Sequence, residues 1–342
     1  MNKSDSCLYN PSFSHIYIEK EALAYPVTKQ ILSHFPGAIP IEINHYKDIF
    51  NRGHQNFLLQ KKSQKLILAI KKDKFLYEGA PVCQNFGNNH FYYTSMVMNC
   101  FYDCEYCYLQ GMYPSANMVV FVNTEDFFKE TEKLLKKFPV YLCISYDTDL
   151  LSLENILGYV GKWQSFSEKH PDLTIELRTK CASLSLLDNL NPENNFILAW
   201  TLTPDIIRKQ YEHHTPGFAQ RLACMKKAIN RGFPVRLCFD PILYVRDWKD
   251  LYQDMIRTVF RELPAHKIFD VSLGVFRVSA DYLKQMRKHR PESAIIQYPY
   301  ENDHGVCHYG KDLSEDMISF VLQQVKEYIP ENKIYIWKET IG

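Results

Sequence analysis

The sequence predicts an α/β protein built as a partial (β/α)6 TIM-like barrel, with an N-terminal α/β extension and a C-terminal segment of helix and hairpin. Three observations carry that expectation. Apolar runs alternate with helical patterns over about residues 89 to 290, the order that builds a parallel sheet. Runs such as Phe196-Ile-Leu-Ala-Trp200 are apolar at every position, as in strands covered on both faces. No glycine-rich turn follows the first run, which disfavours a doubly wound nucleotide fold, and a full eight-unit barrel would need about 250 residues for itself.

Residues 1–88 read as the extension, with a strand and helix over Ile16 to Phe35 and a second strand over Lys65 to Lys71. Residues 89–290 form the barrel. Its strands are expected at Phe91 to Met98, Val140 to Tyr146, Leu173 to Thr179, Phe196 to Leu202, Pro234 to Phe239 and Ile268 to Phe276. The clearest helix follows Asn123: Asn123 or Thr124 caps it, acids fill its first turn, Phe127, Thr131, Leu134, Leu135 and Phe138 share a face, and lysines close it. Further helices are expected over Leu151 to Lys169, Gly217 to Arg231, Asp247 to Leu263 and Ala280 to Arg290. Residues 291–342 begin rich in Pro and Tyr, pass through His304-Gly-Val-Cys-His-Tyr-Gly310, and close with a helix (Leu313 to Tyr328) and a strand (Lys333 to Trp337).

With 342 residues and 46% apolar composition the chain has material for a real core, which excludes a linker or a disordered tail. Forty basic against thirty-nine acidic residues leave a net charge of +1, so a nucleic-acid partner would need a local basic groove. The longest candidate, Lys61-Lys62 through Lys65 to Lys71-Lys72 and Lys74, reads as a solvated face. Met1 to Phe13 lacks an apolar signal core and no stretch approaches the ~18 apolar residues of a membrane span, so a cytoplasmic protein with no membrane partner is expected. Ten unevenly spaced cysteines in such a chain favour metal binding or catalysis over disulfides.

Cys100-Phe-Tyr-Asp-Cys104-Glu-Tyr-Cys107 is a C-x3-C-x2-C set placed just after the first predicted strand, at the end where α/β barrels carry active sites. Three thiolates at this spacing can each hold one iron of a 4Fe-4S cluster and leave the fourth iron open to a small molecule. The alternative is a structural zinc completed by Cys83 or His90, which would make the chain a zinc-stabilised nucleic-acid-binding module; paired C-x2-C knuckles are the commoner zinc pattern.

This motif resembles that of the radical S-adenosylmethionine superfamily, and segments along the whole chain resemble the spore photoproduct lyase family within it. They include Tyr17-Ile-Glu-Lys-Glu-Ala-Leu-Ala-Tyr-Pro26, Lys65 to Lys72, Cys107-Tyr-Leu-Gln110, Arg221-Leu222, Gly232-Phe-Pro, Asp240-Pro-Ile242, Trp248 and His308-Tyr-Gly310. The resemblance implies a DNA repair lyase that reverses a methylene-bridged thymine pair, with S-adenosyl-L-methionine on the open iron as source of a 5'-deoxyadenosyl radical. It also implies double-stranded DNA carrying a thymine lesion as partner and a reductant such as flavodoxin or ferredoxin; a monomer is the default. A radical enzyme acting on another DNA lesion or nucleotide is the neighbouring alternative.

By the same resemblance Tyr106 and Tyr108 contact the cofactor and relay a radical, Tyr108 ahead of Tyr106, and Thr148, Asp149, Lys180 and Thr201 are further cofactor contacts near strand ends. The family returns hydrogen to the thymine radical from a cysteine. Here Tyr146 falls at that cysteine's position, so the donor is sought elsewhere: Cys83 first, Cys143 second, Cys307 third, with Cys7, Cys181, Cys224 and Cys238 as incidental thiols. An odd offset from position 146 puts Cys143 on the opposite strand face unless the strand bulges. A hairpin at His308-Tyr309 is expected to fill the gap left by flipped bases, with core packing the other reading of Tyr309.

Overall fold

Parallel strands occur where the apolar runs place them: Phe91–Thr94, Val140–Cys143, Leu173–Thr179, Phe196–Thr201, Val235–Ile242 and Asp270–Val275. A further parallel strand, Ile334–Ile336, joins beside Asp270–Val275, and Leu76–Glu78 pairs antiparallel with Phe91–Thr94. These make an eight-stranded sheet edged by Ile334–Ile336 and Leu76–Glu78. The protein is thus mixed α/β with a mainly parallel sheet. The computed structural model describes residues 12–80 and 82–337; Cys7 lies outside them.

Phe196–Thr201 is buried along its whole length, as expected of a central strand. Its neighbours are not uniformly apolar. In register with it stand Glu176 opposite Ile197, and Arg178 and Arg236 on either side of Ala199. On this face Arg236 forks onto Asp270 and also reaches Glu176 and the Tyr141 hydroxyl, which keeps these three buried charges paired. Phe86, from the loop after Leu76–Glu78, lies flat against the Arg236 guanidinium at 3.3 Å. The other face holds Leu177, Leu198, Trp200, Leu237 and Leu273, which join the helices in the main core.

The N-terminal strands, His15–Glu19, Ile39–Ile43 and Leu66–Ala69, form a second sheet with Met118–Phe121 and Val97–Met98. Its last two strands come from beyond residue 88, so the extension and the barrel segment share a sheet. Two of these strands have weak sequence signals. Ile39–Ile43 contains Pro40, tolerated because the strand is an edge, and Met118–Phe121 is only four residues long. The expected strand over Phe91 to Met98 is two strands, because the chain leaves the large sheet after Thr94 and enters the small one at Val97.

Helices Thr124–Leu135, Phe218–Arg231, Trp248–Glu262 and Ala280–His289 match the periodic segments. The expected helix over Leu151 to Lys169 is instead broken into short pieces at Gly158, which takes a left-handed conformation at φ +64°. A small third sheet pairs Arg277–Ser279 with the hairpin Glu301–Asp303 and Val306–His308.

Candidate active site

The cysteine segment is an excursion of the small sheet. Val97–Met98 leads into it and Met118–Phe121, antiparallel to that strand, receives the chain afterwards. Asn99, in a left-handed conformation at φ +67°, fastens the base by donating to the carbonyls of Ser115 (2.7 Å) and Asn117 (2.8 Å). The three cysteines therefore sit on a loop closed at both ends.

Other parts of the chain hold that loop from several sides. Lys61 Nζ donates to the carbonyls of Cys100 and Tyr102, and Gln64 to those of Cys100 (3.2 Å) and Ala116 (2.7 Å). Asp103–Cys104 pairs antiparallel with Glu212–His213, and His213 reaches the Glu105 carboxylate at 2.8 Å. Arg290 binds Asp103 and the Gln110 side chain. Only the spacing of the cysteines is visible in the sequence; Lys61, which reads there as part of a solvated face, turns its charge inward.

Burial pushes the Cys100 thiol up to about 11 and raises Cys104 and Cys107 as well, while Lys61 and Lys180 pull the group towards thiolate. Buried thiols beside two ammonium groups suit electron-poor iron, which supplies the remaining positive charge. Among the described residues no three His, Cys, Asp or Glu side chains converge on a single-ion position.

Tyr106 is buried and its phenol donates to Glu212, a carboxylate that also accepts from Thr203 at 2.8 Å and pairs with Arg221. Burial would raise Glu212, but Arg221 and Lys180 outweigh it and hold the carboxyl down at about 2. Lys180 lies 5.4 Å from the Tyr106 ring centroid; burial would lower its pKa, and Cys104 and Glu212 raise it instead. Lys180, Tyr106 and the cysteine loop are therefore brought together.

Asp149 is engaged elsewhere: its carboxylate accepts from the Thr179 hydroxyl (2.7 Å), the Lys180 amide (2.6 Å) and the Ser152 amide (3.3 Å). It ties the ends of two strands together. Beside it the Thr148 hydroxyl is buried with no hydrogen-bond partner. Thr201 is buried at its strand end, where its carbonyl accepts from Arg221 at 3.0 Å.

Tyr108 donates to the Tyr146 carbonyl at 2.6 Å, and the two rings stand 5.7 Å apart. The Tyr146 hydroxyl is 3.4 Å from Cys83 Sγ, so Cys83 reaches the neighbourhood of Tyr108 through one side chain. Arg277 fixes the Cys83 loop by donating to the Val82 carbonyl at 2.9 Å. Cys143 lies deeper: it is buried on the face shared with Tyr141 and burial pushes its thiol up to about 12. Because the strand ends at Cys143, the alternation that would have set its face against position 146 does not reach that far.

Cys307 is buried in the third sheet, opposite Val278 and Asn302. Cys181, Cys224 and Cys238 are buried as well. His308 and Tyr309 stand at the base of the hairpin, where His308 pairs with Glu301, and its exposed turn is Asp303 to Gly305. Tyr309 is packed against Tyr244, Tyr298 and Tyr300, and its hydroxyl accepts from the Tyr244 amide at 3.0 Å. Core packing, rather than display at the surface, is where the structure places this ring.

Comparison with known proteins gives a consistent picture. A family model described as spore photoproduct lyase matches residues 9–336. A spore photoproduct lyase from Clostridium acetobutylicum is 23% identical over 350 residues, covering 96% of this chain and 98% of the relative. One from a Geobacillus species is 18% identical over 293 residues, covering 83% of this chain and 82% of the relative. A solved spore photoproduct lyase double mutant with bound AdoMet and dinucleoside spore photoproduct has a similar fold, at TM-score 0.80 and 19% identity over 96% of this chain and 99% of that one.

Proposed function

The chain belongs to the spore photoproduct lyase family, and on that premise we propose that it is a radical S-adenosylmethionine lyase that restores two thymines from the spore photoproduct in double-stranded DNA. What supports this most is the closed loop that collects Cys100, Cys104 and Cys107 beside Lys61 and Lys180 in a chain that matches the family over nearly its whole length. In this reading the eight-stranded sheet curves as a partial barrel around the site.

Cys100, Cys104 and Cys107 would hold a 4Fe-4S cluster, and Thr148, Lys180 and Thr201 would face S-adenosylmethionine beside it. When bound, the pair supplies a 5'-deoxyadenosyl radical able to take hydrogen from carbon 6 of the dihydrothymine ring. The chain's own work is positional. Asp149 holds Lys180 and Thr148 in place from behind, through its bonds to the Lys180 amide and Thr179. Tyr106 and its ion pair with Glu212 and Arg221 wall the cysteines from water.

Cleavage of the methylene bridge leaves a thymine methyl radical that needs one hydrogen atom. Cys83 is the donor we assign: it is half-buried on a loop, whereas Cys143 is sealed against the charged sheet face and Cys307 sits in the third sheet. Burial raises the Cys83 pKa, with the Tyr146 hydrogen bond and Arg277 opposing, so the hydrogen-bearing thiol prevails near neutral pH. Tyr108 then takes part in returning the radical towards the cofactor. The hairpin turn Asp303 to Gly305 is the element that would enter the duplex when the lesion is flipped out. A monomer reduced by flavodoxin or ferredoxin completes the reading.

The test is anaerobic incubation of cluster-reconstituted protein with dithionite, S-adenosylmethionine and DNA carrying the spore photoproduct, following thymine and 5'-deoxyadenosine by chromatography. Thymine with little net cofactor loss is the expected result. Cofactor cleavage without thymine would keep the radical chemistry and remove this lesion as substrate. Iron-loaded protein that cleaves neither would overturn the enzyme reading.

A further inference from the structure

The lyase reading leaves open how a radical on Cys83 reaches Tyr108, and the geometry answers at one residue. Tyr106 is not on the way: its hydroxyl is spent on Glu212 inside a buried ion pair. Tyr146 lies between the two, its phenol on Cys83 and its backbone and ring beside Tyr108. Its hydroxyl meets Cys83 Sγ at 3.4 Å, its carbonyl accepts the Tyr108 hydroxyl at 2.6 Å, and its ring lies 5.7 Å from that of Tyr108. Tyr93 stacks on the Tyr146 ring at 3.9 Å and 21°, which fixes its orientation.

We propose that Tyr146 is a relay residue between Cys83 and Tyr108. It rests on the lyase reading and on Cys83 as donor. The Cys83 S–H bond breaks as a C–H bond forms on the thymine methyl radical. Tyr146 O–H then breaks as Cys83 S–H is remade, and Tyr108 O–H breaks as Tyr146 O–H is remade. The hydrogen atom Tyr108 has lost is replaced from the methyl group of 5'-deoxyadenosine made in the first half of the reaction. One hydrogen atom moves one place at each step, so the cycle consumes no outside oxidant or reductant.

The arrangement also accounts for the departure at position 146. A thiol on the facing loop needs a side chain that reaches it, and at position 146 a tyrosine places its hydroxyl on Cys83 while its backbone carbonyl holds Tyr108.

Tyr146→Phe keeps the stacked ring and removes only the hydroxyl. The reconstituted variant is compared with wild type, Cys83→Ala and Tyr93→Phe, measuring lesions repaired against 5'-deoxyadenosine accumulated. The expected result is normal thymine from Tyr146→Phe with about one cofactor lost per lesion, while wild type and Tyr93→Phe reuse theirs. In cluster-free protein the same substitution should slow Cys83 alkylation by iodoacetamide above pH 8 roughly fivefold, from the loss of one hydrogen bond to the thiolate. Cofactor reuse by Tyr146→Phe would overturn the proposal, as would an unchanged alkylation profile. Side products in place of thymine would reduce Tyr146 to a positioning residue for Cys83 and overturn it too. Failure of the underlying reading looks different: wild type releases no thymine, or Cys83→Ala releases it normally.

Discussion

Lys61 Nζ, on the N-terminal helix Phe57–Lys62, donates to the Tyr102 carbonyl at 2.8 Å and also to the carbonyl of Cys100, 39 residues further along the chain. A charge from the N-terminal segment thus holds the cysteine loop and lies near its thiols. Lys61→Met should lower iron retention on reconstitution by about tenfold, the usual effect of losing an outer contact, and move the cluster's midpoint potential negative. Iron analysis and a redox titration followed by electron paramagnetic resonance check both.

Glu212→Gln should be costly, because it leaves Arg221 and Lys180 without their buried counter-charge. A loss of about 3–5 kcal/mol is expected in urea unfolding at pH 7. Since the folded carboxyl is held down at about 2, below its unfolded value of about 4.3, the charged form stabilises the fold fully above the latter. That contribution falls away as pH drops towards 2. The gap between wild type and variant should therefore be constant from pH 5 to 8 and narrow below pH 4.

Cys83→Ala should leave cofactor cleavage intact and divert the thymine radical to side products. Cys143→Ala, at a site buried on the charged sheet face, should form normal thymine and lose about 1 kcal/mol of stability. Product analysis by mass spectrometry together with denaturation separates the two thiols.

Thr148→Val should act in opposite directions on the two states of the site. Removing a buried hydroxyl without a partner should stabilise the ligand-free protein by up to about 1 kcal/mol. S-adenosylmethionine should then bind the reconstituted variant roughly fivefold to tenfold more weakly, for want of that group. Thermal unfolding and equilibrium binding give the two readings.

Tyr309→Phe removes the acceptor of the Tyr244 amide and should cost about 1–2 kcal/mol of stability with little change in affinity for lesion-bearing DNA. Replacing Asp303-His304-Gly305 by a minimal Asn-Gly turn should do the reverse. Gel-shift titrations on a duplex oligonucleotide, paired with urea unfolding, distinguish base from tip.

Much of this protein is legible in its sequence. The strand positions, the helix at Thr124–Leu135 and the Cys100, Cys104 and Cys107 loop follow from periodicity, capping and spacing, which act over a few residues. Gly158 splits a helix that the pattern would have continued, since the apolar period says little about one left-handed residue. Met118–Phe121 has no such signal, because four apolar residues carry no readable period.

The alternation of strands and helices and the spacing of Cys100, Cys104 and Cys107 are written in contiguous residues and can be read from them alone. Tertiary structure decided the rest of the site. That Lys61 faces the cysteine loop, that Glu212 engages Tyr106 and Arg221, and that Cys83 meets Tyr146 are contacts between segments many residues apart. Such pairings depend on which sheet a strand joins and how a loop closes, and a side chain's spacing along the chain does not encode either.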